Sequence, residues 1–404
     1  MRTPLPPAMI AAIVLAVVAV AGGPGSAAAP PSSPRPALVA VTAGEAGAVV
    51  LLDREQLTIL RTVQPTEPGP AAAPMHVVED AARRAFYVGN FDGGLGKIPT
   101  EGGDPEVLDL GGALIGLAVS PDGRLLAANG AHDLTLRLID LDAWKVKAAV
   151  RFGVPGETPR HAPLTHGLAS THPVWLADGS GVLTEDNLHE EVVLIDRDGK
   201  ERSRRRLRSA VHTFLIASSD RALALAEGTM DGSVAPAVVV LDIPTLEVIR
   251  EIPVPLAPGE PAKLHHASSS PDGEVVVVAN MGPLHGETPG RTVAALEWRT
   301  GTVIWSAATA RNSGHVRFLD RDRVIVLGHR DPELHVLDAH SGEKRETWRV
   351  PGAEALGHSL AVEPDGTVLI LNSTTGQVVR LGSNGVIRQS ACLGDGVAEA
   401  SLPE

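Results

Sequence analysis

The 404-residue chain has a single cysteine, Cys392, and few aromatic side chains: one tyrosine, five phenylalanines and five tryptophans. One thiol excludes an internal disulfide framework, so stability has to come from ordinary apolar burial, and a lone cysteine in such a chain is expected to be buried and inert. Basic charge is also scarce: 35 Lys and Arg against 48 Asp and Glu leave a formal net charge of −13. Phosphate binding needs a basic face, so a nucleic-acid partner is excluded as an expectation. The one basic run, Arg202 to Arg208, falls in an expected outer strand, where it guards a sheet edge. No Gly-x-Ser-x-Gly elbow, phosphate-cradling glycine loop, Cys-x-x-Cys or His-Glu-x-x-His occurs. A helical period is missing outside the N-terminus.

That N-terminus has Arg2, an apolar stretch from Ala8 to Gly22 and small residues Gly25 to Ala29 ahead of Pro30. This is the layout of a cleavable secretory signal, residues 1–29, and implies a secreted or periplasmic protein with no stable membrane anchor after cleavage. An uncleaved anchor is the alternative. No cysteine follows the apolar run, so a lipoprotein anchor is not expected. Residues 30–36 read as a Pro/Ser-rich linker, and residues 37–404 as one domain.

What fills that domain is a repeat. Pro261–Asn280 runs through an apolar segment, a Pro-Asp-Gly turn and Val275-Val-Val-Val-Ala-Asn280, and Val238–Val254 before it supplies two more β-branched runs. Ser120–Asn129 with Leu134–Asp142, Leu176–Thr184 with Glu191–Asp196, and Glu363–Asn372 repeat the order of strand, turn, strand, loop, strand. These units resemble the YVTN repeats of bacterial β-propellers, which implies an all-β fold of four-stranded antiparallel blades around a central channel. First strands starting near 75, 114, 170, 211, 264, 314 and 357 give seven complete units. Residues 37–65 hold three more strands, and the C-terminal Gly396–Leu402 supplies the missing inner one beside Ala37–Val41. Eight blades are therefore expected, with seven as the alternative.

Six histidines recur at one position of the repeat: His76, His172, His212, His266, His315 and His358. Equivalent positions go to equivalent places, so these rings are expected to surround one mouth of the channel. Ile115-Gly116 interrupts the series and leaves a gap for a substrate or exogenous ligand. Long insertions on the same face carry His161, His166 and His285, while His132, His189 and His329 sit in other loops there. Neutral imidazoles bind Cu, Zn or Fe, and three or four rings fill a site while the rest support it. The stretch Thr184–Glu191 reads as a solvated acidic loop that offers a carboxylate at the rim.

Pro74-Met-His-Val-Val78 with the His265-His266 pair is similar to propeller zinc metallochaperones of the bacterial periplasm, although their His/Asp-rich tract is missing here. Ala295–Trp305 resembles the tryptophan-docking repeat of quinoprotein propellers, but occurs once. The expected function is transition-metal binding, used for redox chemistry on a small molecule or for delivery to a partner protein, by a monomer. The alternative is a non-catalytic scaffold that binds a protein or glycan, with the histidines as polar channel lining.

Overall fold

The computed structural model describes residues 38–43, 47–65, 74–130, 133–153, 157, 172–229, 231–283, 288–357, 360–372, 374–393 and 400–401. The expected signal and linker, residues 1–36, lie outside them. The described residues form eight four-stranded antiparallel sheets arranged as an eight-bladed propeller. Numbered from the N-terminus, the first blade has Leu38–Ala43, Ala48–Asp53 and Ile59–Val63, with Ala400–Ser401 as its innermost strand. The other seven begin with inner strands Pro74–Asp80, Leu114–Val119, Val174–Trp175, Val211–Ser218, Leu264–Ser269, Ser313–Phe318 and Leu360–Val362. No helix among the described residues is long and apolar enough to cross a membrane.

Each blade needs a neighbour on both faces. Second and third strands such as Val275–Asn280 and Glu191–Asp196 are apolar on both faces, so both must be covered. Adjacent blades cover them with shared clusters: Leu223 and Val240 of the fifth meet Val276 and Leu296 of the sixth, and Val277 and Ala295 of the sixth meet Val324 and Val326 of the seventh. Burying each such side chain contributes about 1.5–3 kcal/mol. Tryptophans tie blades together by hydrogen bonds as well. Trp175 Nε1 donates to the Ala118 carbonyl at 2.9 Å, and Trp305 Nε1 to that of Ala339 at 2.9 Å.

The Pro-Asp-Gly turns explain the tight link from inner to second strand. In Ser120–Leu125, Asp122 Oδ1 accepts from Ser120 Oγ and the Arg124 amide, the Leu125 amide donates to Ser120 Oγ, and Gly123 takes a φ of +66° that suits a residue without Cβ. Ser270–Val275 repeats the pattern, with Gly273 at +73°.

Outer strands have only one covered side. Glu201–Arg206 accordingly has no buried residue, being exposed at both ends and half-buried at Ser203–Arg205, and Arg204 pairs with Glu191 and Glu201. For the same reason Cys392, expected to be buried, is exposed at the end of the outer strand Ile387–Cys392.

Closure follows the expected plan with a shift. Ser401 and Ala400 pair with Thr42 and Ala43, the far end of Leu38–Ala43, rather than along residues 37–41. Behind this pairing, Val39, Val49 and Leu51 pack with Leu369 and Val378 of the eighth blade and with Val77 and Phe86 of the second. Across the seam Arg54 Nε meets Glu363 Oε1 at 2.8 Å, and Arg380 donates to the Glu55 carbonyl at 2.7 Å. Removing residues 397–404 should lower Tm by several degrees, each kcal/mol lost being worth roughly 2–4 °C in a domain of this class. A circular-dichroism melt unchanged by the truncation would show that the strand does not fasten the ring.

Candidate metal centre

Where the inner strands pass the channel, they bulge. Register against the second strand shifts between Pro74 and His76, Leu114 and Gly116, Val211 and Phe214, Leu264 and Ala267, and Ser313 and His315. A bulge sets two residues against one and turns their side chains out of simple alternation. In the sixth blade the two are His265 and His266, and both rings join the cluster, 4.3 Å apart centroid to centroid.

Buried asparagines hold the bulged segments in place. Asn280 Oδ1 accepts the Lys263 amide at 2.7 Å just ahead of His265, and Asn187 brackets Val211 beside His212, with Oδ1 accepting its amide and Nδ2 donating to its carbonyl, both at 3.0 Å. At Gly314 a side chain would run into His329, whose Nε2 lies 2.0 Å from where a Cβ would stand. This glycine lets the His329 ring close against the inner strand.

The rings form one chain of contacts. His76 lies 5.6 Å from His172; His172 is 5.5 Å from both His212 and His266; His266 stacks on His315 at 4.3 Å, and His212 on His265 at 4.2 Å. His329 completes it, 5.3 Å from His315 and 5.7 Å from His265. One ring nitrogen each of His172, His212 and His266 lie within 4.8 Å of one another, as do those of His265, His266 and His315. His266 belongs to both triads.

Five of the six expected histidines are thus brought together, and His358 lies outside the described residues, with His132, His161, His166 and His285. Residues 265 and 329 were missed as members. Alternation along the strand puts His265 opposite His266, and only the bulge brings both inward; His329 enters from the loop after the second strand. The expected mouth is also a buried centre, since the seven rings are 0–8% exposed. The gap at Gly116 is spanned from the neighbouring second blade by His76, whose Nδ1 accepts the Leu117 amide at 2.8 Å.

The hydrogen bonds assign protons. An amide N–H only donates, so His76 Nδ1 is unprotonated, and its neutral ring carries hydrogen on Nε2. The Gly314 carbonyl only accepts, so at 3.0 Å His265 Nδ1 bears the proton and Nε2 keeps its lone pair. His212 Nδ1 faces the buried Glu227 carboxylate at 3.3 Å, which likewise leaves Nε2 as the lone-pair nitrogen. An imidazole backed by a carboxylate in this way is the arrangement found behind metal-ligating histidines. His172 Nε2 is buried with no hydrogen-bond partner among the described residues.

Comparison with known proteins begins from this geometry. Residues 289–386, about a quarter of the chain, match a family model described as "Outer membrane protein assembly factor BamB". The matched stretch contains the whole of Ala295–Trp305, the segment that resembles a tryptophan-docking repeat. Among solved structures, the C-terminal WD40 domain of Sif2 is similar at 10% identity, over 82% of this chain and 89% of that one, with a TM-score of 0.63. BamB from Moraxella catarrhalis is similar at 12% identity, over 78% and 84%, with a TM-score of 0.58. No curated protein matches the chain. These likenesses support a bacterial β-propeller with BamB-like repeats, and at such identities the structures establish the fold alone.

Thr184–Glu191 departs from its expected solvated form. Thr184, Glu185, Asp186 and Asn187 are at most 3% exposed, because they end or follow a second strand covered by both neighbouring blades. His189 sits at the edge of this stretch between Asp186 at 2.7 Å and Glu157 at 2.9 Å, and these two carboxylates raise its pKa. Asp186 also pairs with Arg204 at 3.1 Å, so its charge is already balanced.

Burial governs the centre's own ionisation. Desolvation, reinforced by neighbouring imidazoles, holds His172 and His266 well below the usual histidine range, and His329 likewise, with Lys263 adding to the repulsion. Buried Lys263 is itself shifted down by desolvation, against the pull of Glu227. A histidine whose folded pKa is depressed binds its proton less readily folded than unfolded. Stability is therefore full above the unfolded value near 6.5 and falls as pH drops below it, by up to about 1.4 kcal/mol per pH unit per ring. With metal chelated, Tm should fall steadily from pH 7 to pH 5, and His266→Gln should flatten that slope. A wild-type Tm independent of pH over this range would mean that these rings accept protons in place.

Proposed function

We propose that this protein is an extracytoplasmic propeller that binds a transition metal, Cu, Zn or Fe, at the buried histidine centre. The observation that carries the reading is the convergence of seven described histidines, among them His212 and His265, whose Nε2 lone pairs are set by Glu227 and the Gly314 carbonyl, and His172, whose buried Nε2 is left for a ligand. Packing alone accepts Ser, Thr, Val or Ala at a channel position, whereas seven desolvated imidazoles cost stability unless something uses them.

On this reading the ligands come either from His172, His212 and His266 or from His265, His266 and His315, since neutral His266 offers one lone pair. His76 points a protonated nitrogen and serves as an outer partner, and His358 remains a candidate from its place in the repeat. When bound, the metal would supply Lewis acidity or, if Cu or Fe, redox chemistry. The chain's own residues exclude water, keep the rings neutral and fix their tautomers. Turnover of a small molecule needs an open coordination position, whereas a site saturated by protein ligands suits holding an ion for delivery to a partner protein. The similarity of residues 289–386 to an outer membrane protein assembly factor agrees with work outside the cytoplasm.

A second reading rests on that same similarity: a non-catalytic scaffold that binds a protein or glycan. Titration with Zn(II) and Cu(II) separates the two. Wild type should bind tighter than micromolar and weaken below about pH 6, where protons compete for the rings. Affinity should collapse for His266→Ala, fall less for His76→Ala, and drop about 10–100-fold for Glu227→Gln, whose carboxylate backs a ligand. Equal binding by all variants, or none better than micromolar, would leave the histidines as channel lining and favour the scaffold. Spectra of the loaded protein with and without a reductant would show whether the bound ion changes oxidation state.

A further inference from the structure

The seventh blade carries a different set of donors outside the channel. Asp331, Glu333 and His335 follow one another at every second residue into the third strand, Glu333–Asp338, so they share a face of the sheet. The intervening Leu334 and Val336 pack with Trp348 and the eighth blade, which puts the triplet on the side towards the sixth. A ring nitrogen of His335, a carboxylate oxygen of Asp331 and one of Glu333 all lie within 4.8 Å of one another.

His335 is what sets this group apart from an acidic surface cluster. Its side chain is only 8% exposed, and its Nδ1 is buried with no hydrogen-bond partner among the described residues. A desolvated imidazole nitrogen without a partner costs about 1–3 kcal/mol, which ligation would recover. The two carboxylates are held from behind: Asp331 accepts the Arg311 amide at 3.1 Å and the Glu333 amide at 3.3 Å, and each carboxylate oxygen keeps further lone pairs. Glu333 also meets Arg349 at 2.7 Å, but the Arg349 side chain is 83% exposed, and an ion pair in water holds its partners weakly.

We propose that Asp331, Glu333 and His335 form a second, independent metal site for a divalent first-row cation. One imidazole and two carboxylates suit Zn2+ or Mn2+ and disfavour Cu(I), which seeks sulfur and nitrogen, and three protein donors leave room for water. Such a site, with Asp331 and Glu333 half-buried, exchanges its ion with solvent more readily than the buried centre does.

Calorimetric titration of the mature chain with Zn2+ and with Mn2+ tests this. Wild type should show a class of site that survives His266→Ala and is lost in Asp331→Asn/Glu333→Gln, with the Tm of that variant checked to confirm folding. His335→Gln should weaken it at least tenfold, and Arg349→Ala should tighten it several-fold by removing the competitor for Glu333. Binding unchanged in Asp331→Asn/Glu333→Gln, or no ion bound by the His266→Ala protein below about 100 μM, overturns the proposal. Because the two sites share no residue, failure here leaves the channel centre standing, and failure of the channel centre leaves this site standing.

Discussion

Packing between blades is the constraint on which everything else in this molecule rests. A sheet with two apolar faces is stable only when both are covered, and eight such sheets cover one another by forming a ring. The ring brings eight inner strands to one axis. It also demands closure, because one uncovered blade would expose apolar surface on both sides of a seam. A short strand from residues 400–401, the Arg54–Glu363 ion pair and the hydrogen bond from Arg380 to the Glu55 carbonyl close it. Everything at the centre depends on that closure, since the inner strands have no other support than their neighbours.

Given the ring, the bulges decide the chemistry. A regular inner strand would present every second side chain to one face, and one histidine per blade. Register shifts occur at His76, His212, His265-His266 and His315, the one at His265-His266 turns an extra ring towards the axis, and Asn187 and Asn280 fix the segments beside His212 and His265. The result is a polar centre inside an apolar wall, where desolvation keeps imidazoles neutral and a carboxylate, Glu227, sets a tautomer. Neutral imidazole is the form that ligates a metal, so the burial that lowers the pKa also prepares the ligand. Fold alone does not choose between metal binding and scaffold roles, since propellers host many functions. The choice rests on the donors.

Much of the architecture was legible along the chain. Alternating β-branched runs, Pro-Asp-Gly turns and recurring terminal asparagines are local features, each fixed by the conformational preferences of a few neighbouring residues, and their repetition determined the eight-bladed ring and the shared place of His76, His172, His212, His266 and His315. The surplus strand at Gly396–Leu402 pointed to closure because a blade with three strands lacks one. Tertiary structure alone decided which rings meet and in what state. His265 joins through a bulge, whose position depends on the strand opposite. Leu117, 41 residues from His76, sets the proton of that ring, and Gly314, 49 residues from His265, sets the other. Thr184–Asn187 are polar by sequence yet buried, and Cys392 is apolar yet exposed, because depth in a propeller follows a strand's rank from the axis and the cover of its neighbours, neither of which a single strand's residues contain.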